Sequence, residues 1–231
     1  IRRLVSDLGR WVRFVEIWNE PDIGFFAGRP EEYAAMLKAA YLGAKDADPG
    51  VGVLMGSLAN RPGAWFERVL ENGAGQYFDI YNRHFYGEPE GLFALLDADR
   101  EVMRKFGLEK PIWLTEMGRR AFPDEKGDFG PSEREGASYL VRAFACALAA
   151  GADRMFYFYL KEYYEGGQSL WGILREPDLT PKPAYVALAT TARQLGGAEP
   201  LGFVKTEGGY IVAFDRGDGE VVVVAWGRGE F

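Results

Sequence analysis

The chain has 231 residues, of which 48% are hydrophobic and 15% aromatic, and a formal net charge of -7. That length can bury a sizeable core in one large domain or two small ones, and that composition excludes a disordered tail. The acidic balance argues against a polyanion-binding surface, so nucleic acid is not an expected partner.

Six Trp, 12 Tyr and 16 Phe would suit a site that stacks on flat ligands as well as an ordinary core. Cys146 is the only cysteine and sits in the apolar run LVRAFACALAAG, so an intrachain disulfide is excluded and a small core residue is expected. No uninterrupted apolar run approaches the roughly 20 residues needed to span a bilayer. Nothing near Ile1 has the charged-then-apolar layout of a signal peptide. A chain that begins with Ile rather than Met is expected to be a cut or processed piece of a longer one, so its start says nothing about secretion.

Hydrophobic period then predicts the elements in order. Trp11 to Trp18 reads as a strand that ends in Asn19-Glu20-Pro21. Pro30-Glu31-Glu32 opens a helix from Tyr33 to Ala47, which stops at Asp48-Pro49-Gly50. Val51 to Met55 is the second strand, and Arg61-Pro62-Gly63 leads into a helix that ends near Asn72-Gly73. Tyr77 to Phe85 is the third strand, Pro89 to Phe106 the next helix, and Pro111 to Thr115 the fourth strand. Ser132 to Ala150 is a long helix, with Ser132 and Glu135 spaced as a capping box. Arg154 to Tyr159 is the fifth strand, followed by a loop of about 20 residues, long enough to suggest function. Pro183 to Leu195 is the last helix. After Gly196-Gly197 the pattern changes to strands at Gly202 to Lys205, Tyr210 to Asp215 and Glu220 to Ala225. Glu207-Gly208-Gly209 and Asp215-Arg216-Gly217-Asp218-Gly219 join them as hairpin turns.

Five β-then-α units in succession imply parallel strands joined by right-handed crossovers, which fits either an open doubly wound sheet or a barrel. In such folds the strand C-termini form the functional face. Those ends carry Asn19 and Glu20, His84 and Tyr86, Glu116, and Phe158 and Tyr159. One glutamate after an apolar strand is ordinarily just the first solvated loop residue. Two at strand ends can divide labour if their surroundings hold one protonated and the other ionised. Cleavage of a sugar acetal needs that division, with carboxyl groups roughly 5–5.5 Å apart in retaining enzymes and roughly 6.5–9.5 Å apart in inverting ones. One histidine among scattered carboxylates offers too few ligands for a metal site, so neither metal nor cofactor is expected.

Trp18-Asn19-Glu20-Pro21 and Thr115-Glu116, three βα units apart, resemble the signature of clan A retaining glycoside hydrolases. EIWNEPD, YLGAKDADPGVGV, the aromatic-aspartate strand running to His84 and Tyr86, PIWLTEMG and the closing PKPAY are similar to glycoside hydrolase family 39-like and cellulase-like members, nearly to Leu195. The resemblance implies a (β/α)8 barrel of which residues 1–195 supply strands four to eight, followed over 196–231 by the start of an antiparallel β-sandwich-like accessory domain. It implies a general acid/base at Glu20, a nucleophile at Glu116, Asn19 on the sugar 2-hydroxyl and Tyr86 hydrogen-bonded to Glu116. His84 would line the same subsite.

Where the family usually places a Trp near the end of strand eight, this chain has Phe158 and Tyr159, with Trp171 in the long loop as another stacking candidate. Trp11 and Trp113 are expected to face the core. The implied substrate is a poly- or oligosaccharide, and secretion or a periplasmic location is compatible with the resemblance. Sugar, linkage, endo or exo action and oligomeric state are not readable from the sequence. Two alternatives are a carbohydrate-binding pseudoenzyme on the same fold, and an α/β enzyme whose two glutamates act as general bases on a non-sugar substrate.

Overall fold

The computed structural model of the protein describes residues 1–60, 63–165, 169–217 and 219–227. Arg61 and Pro62 of the expected helix lead-in, Asp218 of the second hairpin turn and residues 228–231 of the expected accessory domain lie outside the described residues. The chain divides into two compact units, one formed by Ile1–His84 and Ala94–Thr115, the other by Phe85–Phe93 and Glu116–Phe231.

The first unit holds α1 (Arg2–Leu8), β1 (Phe14–Ile17), α2 (Pro30–Ala47), β2 (Gly52–Met55) and α3 (Ala64–Glu71). It also holds most of β3 (Tyr81–Phe85), α4 (Gly91–Lys105) and β4 (Ile112–Met117). β1 pairs with β2 in parallel, from Phe14 opposite Gly52 to Ile17 opposite Met55. Parallel bridges from Leu54 to Ile80 and from Leu58 to Arg83 carry the pairing to β3. The Tyr81 N–H then reaches the Pro111 carbonyl before β4 at 2.9 Å. The βα order read from the sequence is therefore present as pairing.

β1 begins three residues later than expected. The N–H groups of Trp11 and Val12 donate to the Leu8 carbonyl at the end of α1, so they are not available to a strand ladder. Trp11 is 73% exposed, with the Arg10 guanidinium 4.9 Å above its ring. The expectation that it faces the core is thus corrected, whereas Trp113 is buried against Leu54 and Ile80.

Two motifs have a structural reason in this unit. α2 starts with Pro30 at its first position, and the Glu32 carboxylate accepts from the Arg29 N–H at 2.7 Å. Near its end Lys45 Nζ reaches the Val51 carbonyl at 2.6 Å and Asp79 Oδ2 at 2.8 Å. Asp79 in turn accepts from the Val53 N–H at 2.8 Å, tying α2, β2 and the approach to β3 together.

β3 is buried along its whole length, and period-2 alternation divides its side chains. On one face Arg83 forms a two-pronged pair with Asp99 of α4, at 2.5 and 2.6 Å, and Tyr81 Oη donates to Asp99 Oδ1 at 2.6 Å. Removing one partner of a fully buried pair of this kind costs about 3–5 kcal/mol. Asn82 and His84 take the other face.

The second unit contains the end of β4, α5 (Gly130–Ala149), β5 (Arg154–Tyr157), β6 (Tyr163–Glu165), β7 (Ser169–Trp171) and α6 (Pro183–Leu195). The strands β8 (Glu199–Lys205), β9 (Gly209–Asp215) and β10 (Val221–Gly227) follow and form an antiparallel sheet with β9 in the centre. Val212 and Phe214 of β9 are buried against Ala145 of α5 and Leu195 of α6. α6 packs on α5 through Ala184, Leu140 and Ile173.

The capping box expected at Ser132 is not formed. α5 starts two residues earlier, the Ser132 hydroxyl accepts from the Phe122 N–H at 3.0 Å, and Glu135 pairs with Arg119 at 2.6 Å. Inside the long loop after β5, β6 and β7 pair antiparallel, with Tyr163 opposite Trp171; residues 166–168 lie outside the described ones. The PKPAY segment is anchored by Lys182, which is 3% exposed and pairs with Glu162 at 2.6 Å while its N–H donates to the Ile173 carbonyl. Cys146 is a fully buried core residue whose thiol pKa is pushed up by burial to about 12. No described helix is long and apolar enough to cross a membrane.

Candidate active site

Glu20 is presented by an unusual strand end. Val15 and Ile17 of β1 are buried, and the chain then passes through Trp18 at φ 79° and Glu20 at φ 41°. A non-glycine residue held there costs on the order of 1–3 kcal/mol, and such strain concentrates at functional sites. Several bonds hold this turn. Trp18 Nε1–H donates to the Phe25 carbonyl at 2.9 Å, and the Tyr33 hydroxyl donates to the Ile17 carbonyl at 3.0 Å. The same buried hydroxyl accepts from the Gly56 N–H at 2.6 Å, so it clamps the ends of β1 and β2. Asp22 accepts from the N–H groups of Ala59 and Asn60 at 3.1 and 2.8 Å. Pro21 is buried, and Asn19 lies exposed between the two strained residues.

The Glu20 side chain is 12% exposed, and its Oε1 lies 2.8 Å from Nδ1 of His84, which is 2% exposed. His84 Nε2 lies 3.2 Å from the Thr115 hydroxyl, and that hydroxyl lies 3.0 Å from Asn82 Oδ1. Burial raises the Glu20 pKa above its ordinary value, and the negative charge of Asp22 adds to the effect. In this unit, then, a carboxyl group with its pKa raised by burial sits beside an imidazole.

In the second unit Tyr86, just after β3, donates its phenol O–H to Glu116 Oε2 at 2.5 Å. Such a bond strengthens as negative charge gathers on the accepting oxygen. Tyr86 is 41% exposed, and its ring meets Trp171 at 5.1 Å and Phe158 at 6.2 Å, both edge-on. Phe158 also meets Trp171 at 5.2 Å and Tyr159 at 4.8 Å. The glycine of TEMG has a packing reason: a Cβ on Gly118 would lie 2.1 Å from the Phe158 carbonyl oxygen. The Phe158 N–H donates to the Met117 carbonyl at 2.8 Å, so this aromatic group is registered on the strand that carries Glu116.

Of the residues singled out in the sequence, Asn19, Glu20 and His84 belong to the first unit, where Glu20 and His84 are bonded. Tyr86, Glu116, Phe158, Tyr159 and Trp171 belong to the second, where all five are linked through ring contacts and the phenol bond. Trp171 is 4% exposed and backs Tyr86, whereas Tyr159 is 43% exposed. Asn82 and Thr115 escaped the sequence reading. Their signal was the two-residue step from Asn82 to His84, which puts both on one face of β3, and the hydroxyl directly before Glu116.

Residues 3–169 match the family described as "Glycosyl hydrolase catalytic core". No curated protein matches the chain. Among solved structures, a family 39 glycoside hydrolase from Bacteroides cellulosilyticus WH2 superposes with a TM-score of 0.78 at 23% identity, covering 99% of this chain and 50% of that one. A monomeric beta-xylosidase from Caulobacter crescentus CB15 gives 0.67 at 18% identity, covering 100% and 53%. A family 51 arabinofuranosidase from Xanthomonas axonopodis pv. citri gives 0.68 at 13% identity, covering 94% and 52%. The chain thus spans about half the length of these TIM-barrel relatives, a likeness of fold. The family match covers most of the chain, so the protein belongs to the glycosyl hydrolase catalytic core family.

Proposed function

We propose that this chain carries the two catalytic carboxylates of a retaining β-glycoside hydrolase that cleaves O-glycosidic bonds in a poly- or oligosaccharide. Its βα units would be strands four to eight of a (β/α)8 barrel, and β8–β10 the start of a sandwich-like accessory domain. Glu20 protonates the leaving oxygen while Glu116 attacks the anomeric carbon, forming a covalent glycosyl-enzyme. Glu20 then takes a proton from the water that releases the sugar. The observation that carries this reading is the difference between the two glutamates. Glu20 is desolvated beside an imidazole with its pKa raised, and Glu116 accepts a phenol O–H.

Asn19 is assigned to the sugar 2-hydroxyl. The exposed Tyr159 offers the most open ring to a pyranose face, with Phe158 beside it and Trp171 behind Tyr86. The test is product analysis of the full-length gene product on a glycan panel, with the anomeric configuration followed by NMR. Glu116→Ala should lose turnover and regain it with azide, giving a glycosyl azide of inverted configuration. Wild-type activity in that variant, or an inverted sugar product from the wild type, would sink the mechanism. Glycan binding without hydrolysis would support the pseudoenzyme instead.

A further inference from the structure

The proton positions around His84 follow from what each neighbour can donate. Asn82 Oδ1 accepts twice from Thr115, from its main-chain N–H at 3.3 Å and from its hydroxyl at 3.0 Å. A main-chain N–H can only donate, so the amide oxygen must face Thr115; a reversed amide would set donor against donor. Asn82 is fully buried, so its amide has little access to bulk water. The Thr115 hydroxyl has one proton, which goes to Asn82, and its oxygen therefore meets His84 Nε2 as an acceptor. Nε2 must carry a proton. On the other side, the 2.8 Å contact between Nδ1 and Glu20 Oε1 requires one proton, held either by Glu20 as a carboxyl group or by Nδ1 facing a carboxylate.

We propose that Thr115 and Asn82 are positioning residues that hold His84 with its proton on Nε2, so that Nδ1 offers its lone pair to Glu20 and supports the protonated acid. The proposal rests on the acid/base role given above to Glu20. The opposite tautomer would donate Nδ1–H to the carboxylate and favour its ionised form, the wrong state for protonating a leaving group. Because the imidazole is 2% exposed and Asn82 is fully buried, a mismatched proton there leaves a buried polar atom poorly served by solvent. The hydroxyl before Glu116 and the amide two positions before His84 thus act on Glu20 through the ring.

His84 is the only histidine of these 231 residues, and in the 15N-histidine-labelled full-length gene product its imidazole is identified in long-range 1H–15N spectra by the signal that His84→Asn removes, with no need for catalysis. Nε2 is expected to keep its proton at every pH at which the chain is folded. A neutral ring with its proton on Nδ1 would overturn the proposal without use of any Thr115 variant. Thr115→Val, which removes the acceptor, should shift the neutral ring to a mixture of tautomers, and Thr115→Ser should restore the wild-type spectrum. A Thr115→Val spectrum identical to wild type would remove Thr115 from the relay. In the full-length gene product, Thr115→Val should lose about 10- to 100-fold in kcat/KM on substrates with poor leaving groups and little on activated ones. If no glycan is cleaved while Nε2 keeps its proton, the glycosidase reading fails and the relay stands. If a glycan is cleaved while the neutral ring carries its proton on Nδ1, the glycosidase reading stands and the relay fails.

Discussion

Glu20 and Glu116 are identical side chains at the ends of two strands, and they are held in opposite ways. Glu20 follows a strained turn, is nearly closed off from water, lies near another carboxylate and is bonded to an imidazole. Glu116 accepts from a half-exposed phenol that is braced by an aromatic group. The first surrounding penalises negative charge, and the second supplies a hydrogen-bond donor to the carboxylate. On the proposed mechanism, what would separate the acid from the nucleophile is the company each carboxyl group keeps.

The largest effect that would break this contrast is on Glu116. Glu116→Ala should lower kcat by more than about 10⁴-fold, because it removes the proposed covalent nucleophile. The drop should be seen on every substrate. Glu20→Gln should behave differently, with a loss of about 10²- to 10⁴-fold in kcat/KM for poor leaving groups and little change in the first step for activated aryl glycosides. Equal losses on both kinds of substrate would erase the distinction between the two glutamates.

Tyr86→Phe tests the phenol bond alone. A hydrogen bond to a charged group contributes about 1.5–3 kcal/mol, so kcat/KM should fall by about 10- to 100-fold while the amide spectrum stays folded. A change of less than about twofold would show that the bond matters little to Glu116.

The smallest effect is one of stability. The folded Glu20 pKa is raised above its ordinary value of 4.5, so the fold binds its proton more tightly than the unfolded chain does. Ionised Glu20 therefore costs stability, fully so above the raised folded value and not at all below the ordinary one. Glu20→Gln should raise Tm at neutral pH, and the gain should vanish as the pH falls below the ordinary carboxylate range. A gain that grows toward acid would reverse the sign and count against the desolvated carboxyl group.

Much of the frame was legible in the sequence because it depends on local patterns. Pro183 and the apolar spacing after it delimit α6, and the same helix, Pro183–Leu195, stands in the structure. The apolar runs before Glu20 and Glu116, and the aromatic-aspartate stretch before His84, put those residues at strand ends. Less legible were features in which a distant group outbids a local one. Ser132 and Glu135 have capping-box spacing, yet Phe122 and Arg119 claim them. Trp11 looks like a core residue until α1, unforeseen in the sequence, takes the N–H groups around it.

By itself, then, the sequence determined the succession of βα units, the carboxylates and imidazole that end them, and the motifs of a glycosyl hydrolase core. Periodicity and short turn signals act over a few residues, so they are written in the order of the chain. Only the tertiary structure decided that Asn82 and Thr115 bracket His84, that Asp22 and burial raise Glu20, and that Trp171 backs Tyr86. Those outcomes depend on which groups are brought together across long stretches of sequence, and on how much water is excluded from them. Neither quantity is a property of any local stretch of residues.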